Sequence, residues 1–168
     1  MTDTFDPIAV LQALDARRIT YIVVGGLGRV IHGSDELTDG IDVVPSSKEE
    51  NLRRLGLALD DLNARAPDGK RPLLERDLGR QPVLELATDA GELKIVPEPA
   101  GTRGYDDLRR AANREPLGHG VRPSVASLGD LARMLAATGR QQDLEPLHTV
   151  RRLVELERER SRGRSIER

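Results

Sequence analysis

Tyr21-Ile22-Val23-Val24-Gly25-Gly26-Leu27, followed after a spacer by Gly40-Ile41-Asp42-Val43-Val44, is the stretch on which the fold turns. Ile19 to Val24 is a short β-rich run that reads as a buried strand, and the glycine pair turns the chain. Leu27, Val30 and Ile31 then recur at helical spacing, with Gly33 ending that short helix. Ile41 to Val44 is the next strand, stopped by Pro45-Ser46-Ser47. Carboxylates two apart on a strand point to one face and can share a magnesium ion. Asp42 stands at the second of two such positions, and Gly40 stands at the first.

Outward from this centre the chain alternates helices and strands. Asp6-Pro7 before Ile8, Val10, Leu11 and Leu14 reads as a capped amphipathic helix. Ser47 and Glu50 have capping-box spacing for a helix through about Leu62. Residues 66–72 form a loop by composition. Val83 to Ala87 and Glu92 to Val96 flank the turn at 88–91 and read as a hairpin. A short helix is expected over 106–112. Leu128, Leu131, Met134 and Leu135 share one face of a helix over 127–137. A last helix over about 141–160 has Leu144, Leu147, Val150, Leu153, Val154 and Leu156 as its buried stripe. Together these predict an α/β fold, a small mixed sheet flanked by helices with two C-terminal helices closing one side of a cleft. The division expected is a single domain over 1–157 and a polar, fraying tail over 158–168.

Composition narrows the function classes. The chain has 168 residues with 38% hydrophobic and 32% charged, as in ordinary globular domains. A net charge of −2 excludes a polycation that coats nucleic acid indiscriminately. There is no cysteine, which excludes disulfides and thiolate metal sites and fits a cytoplasmic location. No apolar run approaches the ~20 residues that span a membrane, so no membrane partner is expected.

The chemistry-bearing residues converge on the opening stretch. A glycine pair leaving a strand lets the backbone approach a phosphate closely. Transfer from a nucleotide needs metal ions held by carboxylates at alternate strand positions, with a third acid from a neighbouring strand. Val24-Gly25-Gly26, thirteen residues, then an acid between apolar residues resembles the nucleotidyltransferase superfamily, above all its small bacterial members, including those of toxin–antitoxin pairs. Gly91-Glu92-Leu93-Lys94-Ile95-Val96-Pro97, Tyr105-Asp106-Asp107-Leu108, Val125-Ala126-Ser127-Leu128-Gly129-Asp130-Leu131 and Gly139-Arg140 extend the resemblance over roughly 8–148.

The resemblance implies Asp42 as catalytic residue and metal ligand, with Gly25 and Gly26 at the nucleotide phosphates. Arg103 and Arg140 are further candidates for nucleotide contacts. It also exposes departures. The first metal-binding acid falls on Gly40 and the third on Lys94, and the usual phosphate-contacting serine is absent from Gly25-Gly26-Leu27. Glu92 shares the face of Lys94, and Glu85 lies on the hairpin's other strand, so both are candidate replacement ligands. A bulge at Gly40 would re-aim Asp39 towards the site. Lys94 is also placed to pair with Asp42.

Two functions are therefore carried forward. In the first, the protein uses Mg2+ and a nucleoside triphosphate to move a nucleoside monophosphate to a hydroxyl on RNA or protein, with the chemistry impaired by the lost acids. In the second, an inactive relative, inherited or engineered, needs no cofactor and acts as a binding or regulatory partner of a cognate protein.

Overall fold

The computed structural model describes residues 5–166. Helix α1 (Pro7–Ala16) starts as the sequence predicts, with Pro7 in its first turn and the Asp6 carboxylate accepting from Ala9 N at 3.0 Å. Strand β1 (Tyr21–Val24) follows, then α2 (Gly25–Ile31), which begins on the glycine pair itself. Next come β2 (Gly40–Pro45) and α3 (Glu49–Asp61). A one-turn helix α4 (Leu74–Leu78) precedes the hairpin β3 (Leu84–Thr88) and β4 (Gly91–Ile95). The chain ends with α5 (Tyr105–Leu108), the two-residue strands β5 (Asn113–Arg114) and β6 (Ser124–Val125), α6 (Leu128–Thr138), a 3-10 turn, and α7 (Leu144–Ile166).

Six strands form one mixed sheet in the order β3-β4-β2-β1-β6-β5. β1 and β2 are antiparallel, β2 and β4 parallel, and β3 and β4 antiparallel. Alternation along each strand splits the buried side chains between two faces. Tyr21, Val23, Ile41, Val43, Leu93 and Ile95 pack with Val10, Leu11 and Leu14 of α1 and Leu55 and Leu59 of α3. Ile22, Val24 and Val44 pack on the other face with α6 and α7, through Leu131, Met134, Leu147 and Val150. Glu85, Glu92 and Lys94 carry the parity of this second face, but it is not covered over β3 and β4, so polar side chains survive there. That gap is the cleft.

Two local expectations are corrected. The Ser47–Glu50 capping box does not form: α3 starts at Glu49 after Lys48 with no side-chain cap. Glu50 instead binds Arg53 and Arg54 one turn onward, at 2.7 and 3.3 Å. The last helix does not stop near Arg160 but continues through Ile166, so most of the expected tail is helical; residues 167–168 lie outside the described part. Ser127 does cap α6, accepting from Asp130 N at 3.0 Å, and Gly139 ends it in the left-handed conformation.

Candidate functional site

Two adjoining depressions form the cleft, and Gly26, Arg29, Asp42 and Lys94 border both. One, of about 210 Å³, is bounded by the loop ahead of β2 and by Gly40 and Glu92. The other, of about 360 Å³, has an apolar wall including Val24, Val83, Val96, Leu131 and Met134, with Gly25, Glu85, Arg140 and Asp143 on its rim. Asp42, Gly25, Gly26, Glu85, Glu92, Lys94, Gly40 and Arg140 are thus brought together from the start of α2, from β2, β3 and β4, and from the turn after α6. Arg103 is not among them. It lines a separate depression with Asp107 and Arg133, where its backbone N–H binds Asp107 at 2.9 Å. Arg133 is held there too, at 3.1 Å from both Asp107 and Asp130.

Strand register fixes the centre. Gly40 lies opposite Glu92 and Asp42 opposite Lys94, while Lys94 on its other side lies opposite Glu85. Partners across a sheet share a face, so Asp42, Glu85 and Glu92 surround Lys94 on three sides. β2 pairs regularly from Gly40 onward, so the bulge that re-aiming Asp39 would require is not formed. The Asp42–Lys94 ion pair is not formed either: no ion pair within 4.0 Å among the described residues includes Lys94. Asp42 is partly buried and its carboxyl is raised above the ordinary value, first by burial. Lys94 and then Arg29 oppose that shift through their charge, whereas Glu92 and Glu85 reinforce it.

The glycines have a packing reason visible only in three dimensions. At Gly25 φ is +66°, and a Cβ would clash with Asp42 Oδ2. The Asp42 carboxylate therefore rests directly against the Gly25 turn. A Cβ on Gly26 would meet Thr38 Oγ1 at 3.3 Å and Glu36 Oε1 at 3.4 Å. A Cβ on Gly40 would lie 2.9 Å from Glu92 Cβ and 3.0 Å from Glu92 O. Where the resemblance places a first acid, β4 already occupies the space a side chain would need.

Arg29 escaped the sequence reading. Arg29 on α2 grips Glu36 through Nε and Nη2, at 2.8 to 3.1 Å, and Ser34 Oγ donates to Glu36 at 2.7 Å. Burial opposes ionisation of Glu36, but these hydrogen bonds and the Arg29 charge outweigh it and hold the carboxyl below its ordinary value. The pair fastens the 34–39 loop, with its exposed Leu37, beside Asp42. Asp143 is buried behind Arg140, taking Nε of that arginine at 2.8 Å and the Thr138 hydroxyl. A basic residue one helical turn after Gly25 was the available signal for Arg29, and the place of Asp143 just after Gly139-Arg140 was the signal for its pairing with Arg140.

A divalent-metal centre does not fit this set. Among the described residues no three His, Cys, Asp or Glu side chains gather closely enough to hold a metal ion. Gly40 offers no ligand, and Lys94 puts an ammonium group where a third carboxylate would be needed.

No protein-family model matches the chain, and no curated protein matches it. Solved structures do. The lincosamide antibiotic adenylyltransferase LnuA, in its lincomycin-bound form, superposes with a TM-score of 0.60 at 13% identity, covering 89% of this chain and 99% of LnuA. The antibiotic-resistance factor ANT(2'')-Ia gives 0.59 at 16% identity, covering 94% and 91%. TM1012 of Thermotoga maritima, described as a nucleotidyltransferase, gives 0.50 at 17% identity, covering 88% and 89%. The chain has the nucleotidyltransferase fold.

Proposed function

We propose that this protein binds a nucleotide in the cleft of a nucleotidyltransferase fold, that its metal-dependent transfer chemistry is impaired, and that it acts as a binding or regulatory partner of another protein. The observation that carries this reading is the β2–β4 register, which sets Lys94 beside Asp42 and leaves Gly40 no room for a side chain. The apolar wall of the larger depression suits a nucleobase, and its size falls in the range of small-molecule sites. Arg140, pre-oriented by Asp143, is the cleft arginine best placed for a phosphate. Asp42, Glu85 and Glu92 outweigh Lys94 in charge, so affinity for a triphosphate is expected to be modest.

Equilibrium binding of labelled nucleoside triphosphates, run beside a transfer assay with magnesium, tests the reading. RNA, protein and lincomycin (the ligand of LnuA) serve as acceptors. Binding without transfer is the expected result. Label transferred by the wild type and abolished in Asp42→Ala would overturn the impairment. A second reading keeps activity, with Glu92 and Glu85 replacing the lost ligands; their position on the Asp42 face favours it. It requires magnesium-dependent label transfer that Glu92→Gln weakens.

A further inference from the structure

We infer that Lys94 is a tethered counter-cation that takes the place of a divalent metal and keeps such metals out of the cleft. The inference rests on reading the cleft as a vacated metal site, and it assigns the vacancy to one residue. Lys94 is the direct cross-strand partner of Asp42 on β2 and of Glu85 on β3, and it follows Glu92 by two residues on β4. All four side chains therefore rise from one face of the sheet. Three carboxylates around a single half-buried ammonium form an arrangement in which the cation is covalently supplied by the chain. Among the described residues the ammonium forms no ion pair within 4.0 Å, and its charge opposes the rise of the Asp42 carboxyl from beyond that distance. Arg29, the other cation beside Asp42, is already engaged by Glu36.

Removing the positive charge should convert the same carboxylates into a site for an added cation. A divalent ion and an ammonium about 5 Å apart repel even in a water-like dielectric, enough for on the order of a tenfold change in affinity. Glu85 and Glu92 are exposed and have rotamer freedom to close on an ion that Lys94 now excludes.

The test is calorimetric titration of Mn2+ into the full chain, as wild type, Lys94→Gln and Lys94→Arg, with far-ultraviolet circular dichroism as the folding control. Lys94→Gln should bind Mn2+ at least about tenfold tighter than wild type, and Lys94→Arg, which keeps the charge, should behave as wild type. Adding Glu92→Gln to Lys94→Gln should weaken the new binding and so tie it to this face. Lys94→Ala reads the same difference if Lys94→Gln does not fold. Equal Mn2+ affinity in wild type and Lys94→Gln, or no uptake by either, would overturn the inference. Nucleotide binding is measured separately on the same proteins. Its absence would remove the proposed function while leaving the metal result to stand or fall alone.

Discussion

Replacing Gly40 with alanine should destabilise the protein although the site lies at the mouth of a cleft. The added Cβ would sit 2.9 Å from Glu92 Cβ and 3.0 Å from Glu92 O, where carbon atoms normally rest 3.5–4.0 Å apart. One of these neighbours is backbone, so no rotamer change removes both contacts, and β2 must move away from β4. Overpacking of this kind costs about 1–3 kcal/mol. The usual gain of about 0.5–1 kcal/mol for alanine over glycine within a strand offsets part of it. Mid-range values leave a net cost of about 1.3 kcal/mol, or a melting temperature lower by roughly 3–5 °C in a domain of this size. Gly40→Asp should cost roughly 0.2–1 kcal/mol more, through like charge beside Asp42 and Glu92. Glu92→Gly removes one of the two contacts, so the double variant Gly40→Ala/Glu92→Gly should lose less than the sum of the two single changes. Urea melts of wild type and these four variants at pH 7 measure these differences. A Gly40→Ala protein as stable as wild type, or strictly additive changes in the cycle, would refute the steric account. Gly40 would then be a simple lost ligand that an acid could refill.

Other outcomes follow from the same geometry. Asp42→Asn should raise stability at neutral pH, because burial lifts the Asp42 carboxyl above its ordinary 3.8 and the folded state resists its ionisation. The stability associated with protonated Asp42 is complete below 3.8 and lost as pH rises through its folded value. The advantage of Asp42→Asn should therefore vanish on acidification, and thermal melts from pH 3 to 8 check the crossover. Arg29→Ala should cost roughly 1–3 kcal/mol, since it strands a partly buried Glu36; faster amide exchange confined to 34–39 would locate the damage. Arg140→Ala should weaken nucleotide binding while Arg103→Ala leaves it unchanged, because Arg103 lies outside the cleft. The reverse ranking in a binding titration would displace the assigned phosphate contact.

Much of the architecture was legible in one dimension because it depends on short-range periodicity. Leu131 announced its buried face through helical spacing, Val23 its burial through a continuous β-rich run, and Asp6-Pro7 marked the start of α1. Elements too short to show a period escaped: α4 and the two-residue strands β5 and β6. The capping-box spacing at Ser47 misled because Arg53 and Arg54 compete for Glu50. The end of α7 carries no apolar stripe, so its helical continuation past Arg160 had no signal in hydrophobic spacing. At the site, the convergence of Asp42 with Gly40, Lys94 and Arg140 was readable. The grip of Arg29 on Glu36 and the removal of Arg103 to another depression were not.

By itself the sequence determined that a strand, a glycine turn and a helix precede a strand carrying one acid, and that Glu92 and Lys94 share a side of their own strand. Those properties follow from alternation and backbone sterics within a few residues. Only the tertiary structure decided which residues face one another across strands distant in the chain: Gly40 with Glu92, and Lys94 between Asp42 and Glu85. Register is set by how two strands bury their apolar sides together, and no local pattern records it. That register seats Gly40, Asp42, Glu85, Glu92 and Lys94 on one face of the sheet at fixed positions.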